Sequence, residues 1–155
     1  SMSGHPDVTR PSPHSDIILV VEGAKIYANK HFLASHSPFF ETLFFGDFIE
    51  KGKGEVELED VPFQHMLCFI QVLCRAGRSI DDSNVEIMLQ LADRFQAKAV
   101  VEECVRYLLT FTSTTYKGPE LIRLGDLYRL DTLMERIIGL IDERDIRAAQ
   151  QSAFF

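Results

Sequence analysis

The chain has 155 residues, 46% of them hydrophobic and 25% charged, with mean hydropathy near zero, which suits one ordinary globular domain with a small appendage and is too short for two large ones. A net charge of -7 and a pI near 5.2 oppose nucleic acid as a direct ligand, because phosphate backbones call for clustered Lys and Arg. No apolar run reaches the roughly 18 residues of a membrane span, and the N-terminus lacks the basic-then-apolar layout of a signal peptide, so neither a membrane partner nor secretion is expected. Residues 1–14 hold three of the six prolines and almost nothing apolar; they read as an expression scar and a disordered tail. The run Ile17-Ile18-Leu19-Val20-Val21 predicts a fully buried strand, turning at Glu22-Gly23-Ala24 into a second strand at Ile26-Tyr27-Ala28. Ser37 followed by Pro38 predicts an N-cap and first helical position, with a short helix to about Phe45. Glu55-Val56-Glu57-Leu58-Glu59 alternates strictly, as a strand wet on one face does.

Helices account for most of the chain beyond Glu59. Pro62 opens one, with Phe63, Met66, Leu67, Ile70 and Leu73-Cys74 on one face. Ser83 with Glu86 has the spacing of a capping box ahead of Ile87, Met88, Leu91, Ala92 and Phe95. Val100, Val101, Cys104, Val105, Leu108 and Phe111 continue the helical period, which a Thr/Ser stretch from Thr110 to Thr115 breaks. Two further helices are expected from Pro119 to about Tyr128 and from Asp131 to about Ile141, with a possible shorter turn after Asp145. A hairpin, two short helices, an edge-like strand and a run of helices define an α+β fold, a small sheet flanked by a helical cluster.

Side chains with catalytic potential are scattered. Lys30, His31, Ser35, His36 and Ser37 cluster in sequence, but His31 and His36 are five apart and point to different helix faces, and the serines suit caps. His65 and Cys68 could share a metal, yet no second pair completes a four-ligand zinc site. Gly52-Lys53-Gly54 lacks the context of a phosphate loop. No catalytic residue, metal or cofactor is therefore expected. Cys68, Cys74 and Cys104 form no Cys-x-x-Cys pair and read as reduced core thiols of an intracellular protein. The unusual feature is aromatic: Phe39, Phe40, Phe44, Phe45 and Phe48 exceed what one short helix can bury. Phe40 and Phe44, four apart, share a core face, whereas Phe45 and Phe48 are candidates for a partner.

The stretch from Ser15-Asp16-Ile17 through the hairpin, then Tyr27-Ala28-Asn29-Lys30-His31-Phe32-Leu33-Ala34-Ser35-His36-Ser37-Pro38-Phe39-Phe40 and Leu43-Phe44, resembles the BTB/POZ domain. Leu91-Ala92-Asp93-Arg94-Phe95 and Cys104-Val105-Arg106-Tyr107-Leu108 match the later pattern of that family. The resemblance is nearest in look to the BTB half of MATH-BTB adaptors and implies a BTB/POZ domain over 15–112, followed at 116–151 by a helical extension similar to a 3-box or the start of a BACK domain. Asn29 departs from the usual histidine, and Gln71 to Arg75 from the usual end of the third helix.

The resemblance also implies partners. Phe48-Ile49-Glu50 stands where cullin-3 adaptors carry a hydrophobic-x-Glu motif, so Phe44, Phe45, Asp47, Phe48 and Glu50 are expected to contact the cullin-3 N-terminal region. A homodimer is expected through Asp16, Ile17, Lys30, Phe32, Leu33 and His36. Asp16 and Lys30 match the charged pocket of BTB transcription factors, or else form a buried ion pair. The implied role is an adaptor bringing a substrate protein, held by a region outside this chain, to a cullin-3 RING ubiquitin ligase in the cytoplasm and/or nucleus. The alternative is a dimerisation or corepressor-binding module of a transcriptional regulator or scaffold.

Overall fold

A computed structural model describes residues 4–46 and 54–152. Strands β1 (Ile17–Val21) and β2 (Ala24–Ala28) form an antiparallel hairpin, and β3 (Glu55–Leu58) joins the other side of β1 in parallel, giving the order β2-β1-β3. The hairpin turn is only Glu22-Gly23, both at positive φ (52° and 78°), the geometry that matches the twist of the flanking strands. Ile17, Leu19 and Val21 point to the core with Ile26, Ala28 and Leu58. Ile18 and Val20 are only half-buried, so β1 is covered fully on one face, not on both as its unbroken apolar run predicts. The outer face explains this. Ile18 and Val20 lie opposite Glu55 and Glu57 of β3, carboxylates that keep that side wet, and Lys25 pairs with Glu55 at 3.3 Å.

Helices α1 (Lys30–His36) and α2 (Pro38–Phe45) pack on each other, and α3 (Phe63–Leu73) packs on α4 (Val85–Arg94). Helix α5 spans Lys98–Leu108. The core is aromatic at its centre: Phe95 stacks on Phe40 (5.3 Å, 4°), meets Phe39 edge-on at 5.1 Å and touches Phe69 at 5.5 Å. Phe40, Phe69 and Phe95 are fully buried, and each such side chain contributes about 1.5–3 kcal/mol of transfer free energy.

Two compact units divide within α5, between Cys104 and Val105. In the second unit, α6 (Pro119–Leu127) packs against α7 (Asp131–Ser152), burying Leu121, Leu124, Leu133 and Ile137. The approach is close at Gly125, where a Cβ would collide with the Met134 side chain. Helix α7 continues for 22 residues without the break expected after Ile141, since the stretch after it holds no Gly or Pro to stop it.

Residues 4–15 differ from the expected tail. The Val8 carbonyl accepts the Tyr27 N–H at 2.8 Å, capping the free edge of β2, and the Val8 side chain is buried. The N-terminal segment is held again where Asn29 Nδ2 donates to the His14 carbonyl at 2.9 Å. Val8 is the only aliphatic residue between Ser3 and Asp16, and a single anchor of this kind leaves no periodic pattern to read.

Candidate protein-interaction site

Ser37 ends α1 and starts α2, with its hydroxyl in both tasks. Its Oγ accepts the Phe40 N–H at 3.1 Å, as the Ser-Pro pair predicts, and donates to the Phe95 carbonyl at 2.5 Å. Asn29, the departure from the expected histidine, caps α1 by accepting the Phe32 N–H at 2.9 Å. These caps fix the rotation of both helices, and rotation decides which aromatic rings turn out.

Phe40 and Phe44, one turn apart, stack at 5.5 Å and face inward. Phe44, expected at the cullin contact, is only 8% exposed, because the i, i+4 spacing carries it onto the same face as Phe40. Phe45 turns outward. It is 46% exposed and stacks on the exposed His31 ring at 5.1 Å and 26°, so a ring pair from two helices stands on the surface where α2 ends. Gly46 closes the helix, its N–H donating to the Thr42 carbonyl at 3.0 Å. Asp47, Phe48 and Glu50 lie outside the described residues.

The six residues expected at a dimer interface fall into two groups. Ile17 and Leu33 are core, 1% and 0% exposed, and have no surface to offer a partner; strand and helix periodicity turn them inward with Leu19 and Phe40. Asp16 and His36 are exposed, while Lys30 and Phe32 are half-buried. Phe32 and His36 stack obliquely at 4.7 Å on one face of α1. Asp16 and Lys30 are joined through the backbone: the exposed Asp16 carboxylate accepts the Lys30 N–H at 2.8 Å, a helix-start bond and not a buried ion pair. Beside this face, a cleft of about 230 Å³ lies between the N-terminal segment, β2 and Phe32, with Val8, Tyr27 and Cys74 in its walls.

The start of α4 also differs from the expected capping box. Asn84 is the N-cap residue, and Ser83 turns back to Asp81, whose Oδ1 accepts both the Ser83 N–H and hydroxyl. The three cysteines are free. Burial pushes the Cys74 thiol up to about 11 and the Cys104 thiol up to about 12. Among the described residues no three His, Cys, Asp or Glu side chains gather as a metal site.

Sequence reasoning missed the part Phe95 plays. It placed the residue on a helical core face, but nothing in the periodicity marks it as the ring where α2, α3 and α4 meet; the weak signal is a large aromatic at the last position of an amphipathic stretch.

Comparison with known proteins agrees with this architecture. The sequence profile of the BTB/POZ domain matches residues 8–112, and the chain belongs to that family. Among its relatives, BTB and MATH domain-containing protein 38 of Caenorhabditis elegans is 37% identical over 61% of this chain and 24% of its own length. BTB and MATH domain-containing protein 36 of the same organism is 28% identical over 86% of this chain and 41% of its own length. Kelch-like protein 28 of Mus musculus is 36% identical over 60% of this chain and 16% of its own length. The chain thus spans less than half the length of these relatives. The BTB domain of human Gigaxonin shares the fold at 20% identity, with a TM-score of 0.50 over 61% of this chain and 77% of that structure.

Proposed function

We propose that this chain is the BTB part of a non-catalytic adaptor that recruits substrates to a cullin-3 RING ubiquitin ligase, working as a homodimer. The observation that carries the reading is the outward Phe45 ring at the end of α2, stacked on His31 and succeeded in sequence by Phe48-Ile49-Glu50. An exposed aromatic on a capped helix is a rigid anchor with little ordering entropy to lose on binding. Glu50 would supply the polar register at the edge of the contact. The half-buried Phe32 and exposed His36 on α1 are the candidate surface for self-association. The MATH and Kelch-like relatives support an adaptor role, with substrate held by a region outside this chain.

The test is capture of a cullin-3 N-terminal fragment by the wild-type chain and by Phe45→Ala, Phe48→Ala and Glu50→Ala. The reading requires binding by wild type and a clear loss in the variants; equal behaviour of all four rejects it. Sedimentation that stays monomeric at micromolar concentration rejects the homodimer.

A further inference from the structure

Ser-Pro occurs twice in the chain, at Ser12-Pro13 and Ser37-Pro38, and the fold treats the two serines oppositely. Ser37 is 0% exposed, and its hydroxyl is engaged by the Phe40 N–H and the Phe95 carbonyl. Ser12 is exposed, as are Arg10, Pro11, Pro13 and His14 around it. An enzyme that acts on a Ser-Pro dipeptide of the folded chain reaches one and not the other.

Residues 9–13 form a bow tied at both ends. Before it, Val8 is buried and its carbonyl accepts the Tyr27 N–H. After it, Asn29 Nδ2 donates to the His14 carbonyl and the Asp16 N–H to the Ala28 carbonyl. Within the bow the bonds are local: the Ser15 hydroxyl accepts the Ser12 N–H at 2.9 Å and donates to the Ser12 carbonyl at 2.9 Å, while Thr9 and Arg10 turn back to Asp7. Exposed local bonds of this kind open at little cost. Pro13 turns Ser12 away from helical backbone toward the extended form, the form in which a kinase cleft takes its substrate, and the two anchors can stay in place while it does.

We propose that Ser12 is a phosphorylation site for a proline-directed serine kinase, and that the phosphate tightens the N-terminal segment on β2. In the transfer, Ser12 Oγ bonds to the γ-phosphorus of ATP and the bond from that phosphorus to the β,γ-bridging oxygen breaks. ADP leaves, and the hydroxyl proton passes to the catalytic carboxylate of the kinase. Ser12 Oγ already accepts the His14 N–H, at 3.3 Å. A phosphate there brings about −1.5 to −2 charges and three acceptor oxygens, which make this long bond a charge-assisted one. Arg10, held by Asp7 at only 3.7 Å, is the neighbouring cation. The turn from Ser12 to His14 is thereby closed, and the slack between the Val8 and His14 anchors is removed.

The full chain incubated with a cyclin-dependent kinase and magnesium ATP, then mapped by peptide mass spectrometry, tests this. Phosphate is expected at Ser12 and not at Ser37, and Ser12→Ala abolishes its incorporation. In the phosphorylated chain the Tyr27 amide exchanges with solvent deuterium about fivefold more slowly, the effect of one modest hydrogen bond, and the kinase leaves this rate unaltered in Ser12→Ala. A folded chain that takes up no phosphate at Ser12, or takes it up first at another serine or threonine, overturns the assignment. Phosphate at Ser12 with Tyr27 exchange unchanged or faster overturns the tightening.

Discussion

The Ser37 hydroxyl donates to the Phe95 carbonyl at 2.5 Å, across 58 residues of chain. The same oxygen accepts the Phe40 N–H that opens α2, so one buried atom ties the start of the Phe-rich helix to the end of α4. The rings track the backbone: Phe95 lies parallel to Phe40 at 5.3 Å. The outward turn of Phe45 depends on this joint, because Phe40, Phe44 and Phe45 share one short helix.

Ser37→Ala removes a helix cap and leaves the Phe95 carbonyl without its partner in a fully buried position. A lost cap costs about 1 kcal/mol, and an orphaned buried acceptor adds about 1–3 kcal/mol. The expected result is a loss of about 2–4 kcal/mol in urea unfolding with an unchanged m-value. A loss no larger than that of a surface serine such as Ser35→Ala would show that the joint does not matter.

Three helices end with a residue in the left-handed region that is not glycine. Arg75, Gln96 and Arg129 have φ of 52°, 55° and 54°, and behind each the chain makes the paired bonds of a Schellman motif, as in Ala97 N–H to Ala92 and Gln96 N–H to Asp93. The strain of that conformation is about 1 kcal/mol, and glycine relieves it at a smaller entropic cost in the unfolded chain. Gln96→Gly should therefore stabilise the domain by about 0.5 kcal/mol. A fall in the denaturation midpoint would contradict it.

These helix ends also show where the sequence was legible and where it was not. Ser37-Pro38 announced α2 to the residue, since the cap chemistry is local, and Val56 and Leu58 alternate with glutamates in β3 as period two requires. Arg75, Gln96 and Arg129 carry no terminator signal, because tertiary packing forces a conformation that their side chains disfavour. Ser83 and Glu86 have capping-box spacing, but Asp81 takes the Ser83 donors first. Of the candidate site, the direction of Phe45 could be read from helix periodicity, while its stacking on His31 is a contact between two helices that no single-helix pattern contains.

Asp81 adds a pH dependence. The Ser83 hydroxyl holds its carboxyl below the ordinary 3.8; burial opposes it, and the Ser83 N–H and the nearby Arg78 charge add to the lowering. A carboxyl depressed in the folded state stabilises it above the unfolded value, and that contribution is lost as the pH falls through the folded one. Asp81 is largely solvent-exposed, so screening limits the effect to about 0.5 kcal/mol. The unfolding midpoint of Asp81→Asn should thus lie below that of wild type at about pH 7 and converge with it as the pH falls well below the ordinary carboxyl value of 3.8. An unchanged gap at low pH would mean that Asp81 acts through geometry and not charge.

Phe45 and Phe44 offer the sharpest separation of binding from folding, because adjacent residues of one type face opposite ways. Phe44 stacks within the core at 8% exposure, and Phe44→Ala should cost about 3–5 kcal/mol as a cavity opens beside Phe40. Phe45 is 46% exposed with His31 as its ring neighbour in the other helix, so Phe45→Ser should cost under about 1 kcal/mol of stability. If the ring anchors the cullin, the same change weakens capture of the N-terminal fragment by about 2 kcal/mol, or roughly thirtyfold in Kd. His31→Ala, which frees the ring without removing it, should weaken capture less, because an unstacked Phe45 must be ordered at the moment of binding. Calorimetric titration of folded Phe45→Ser decides the matter: wild-type affinity in that variant would move the contact away from the end of α2.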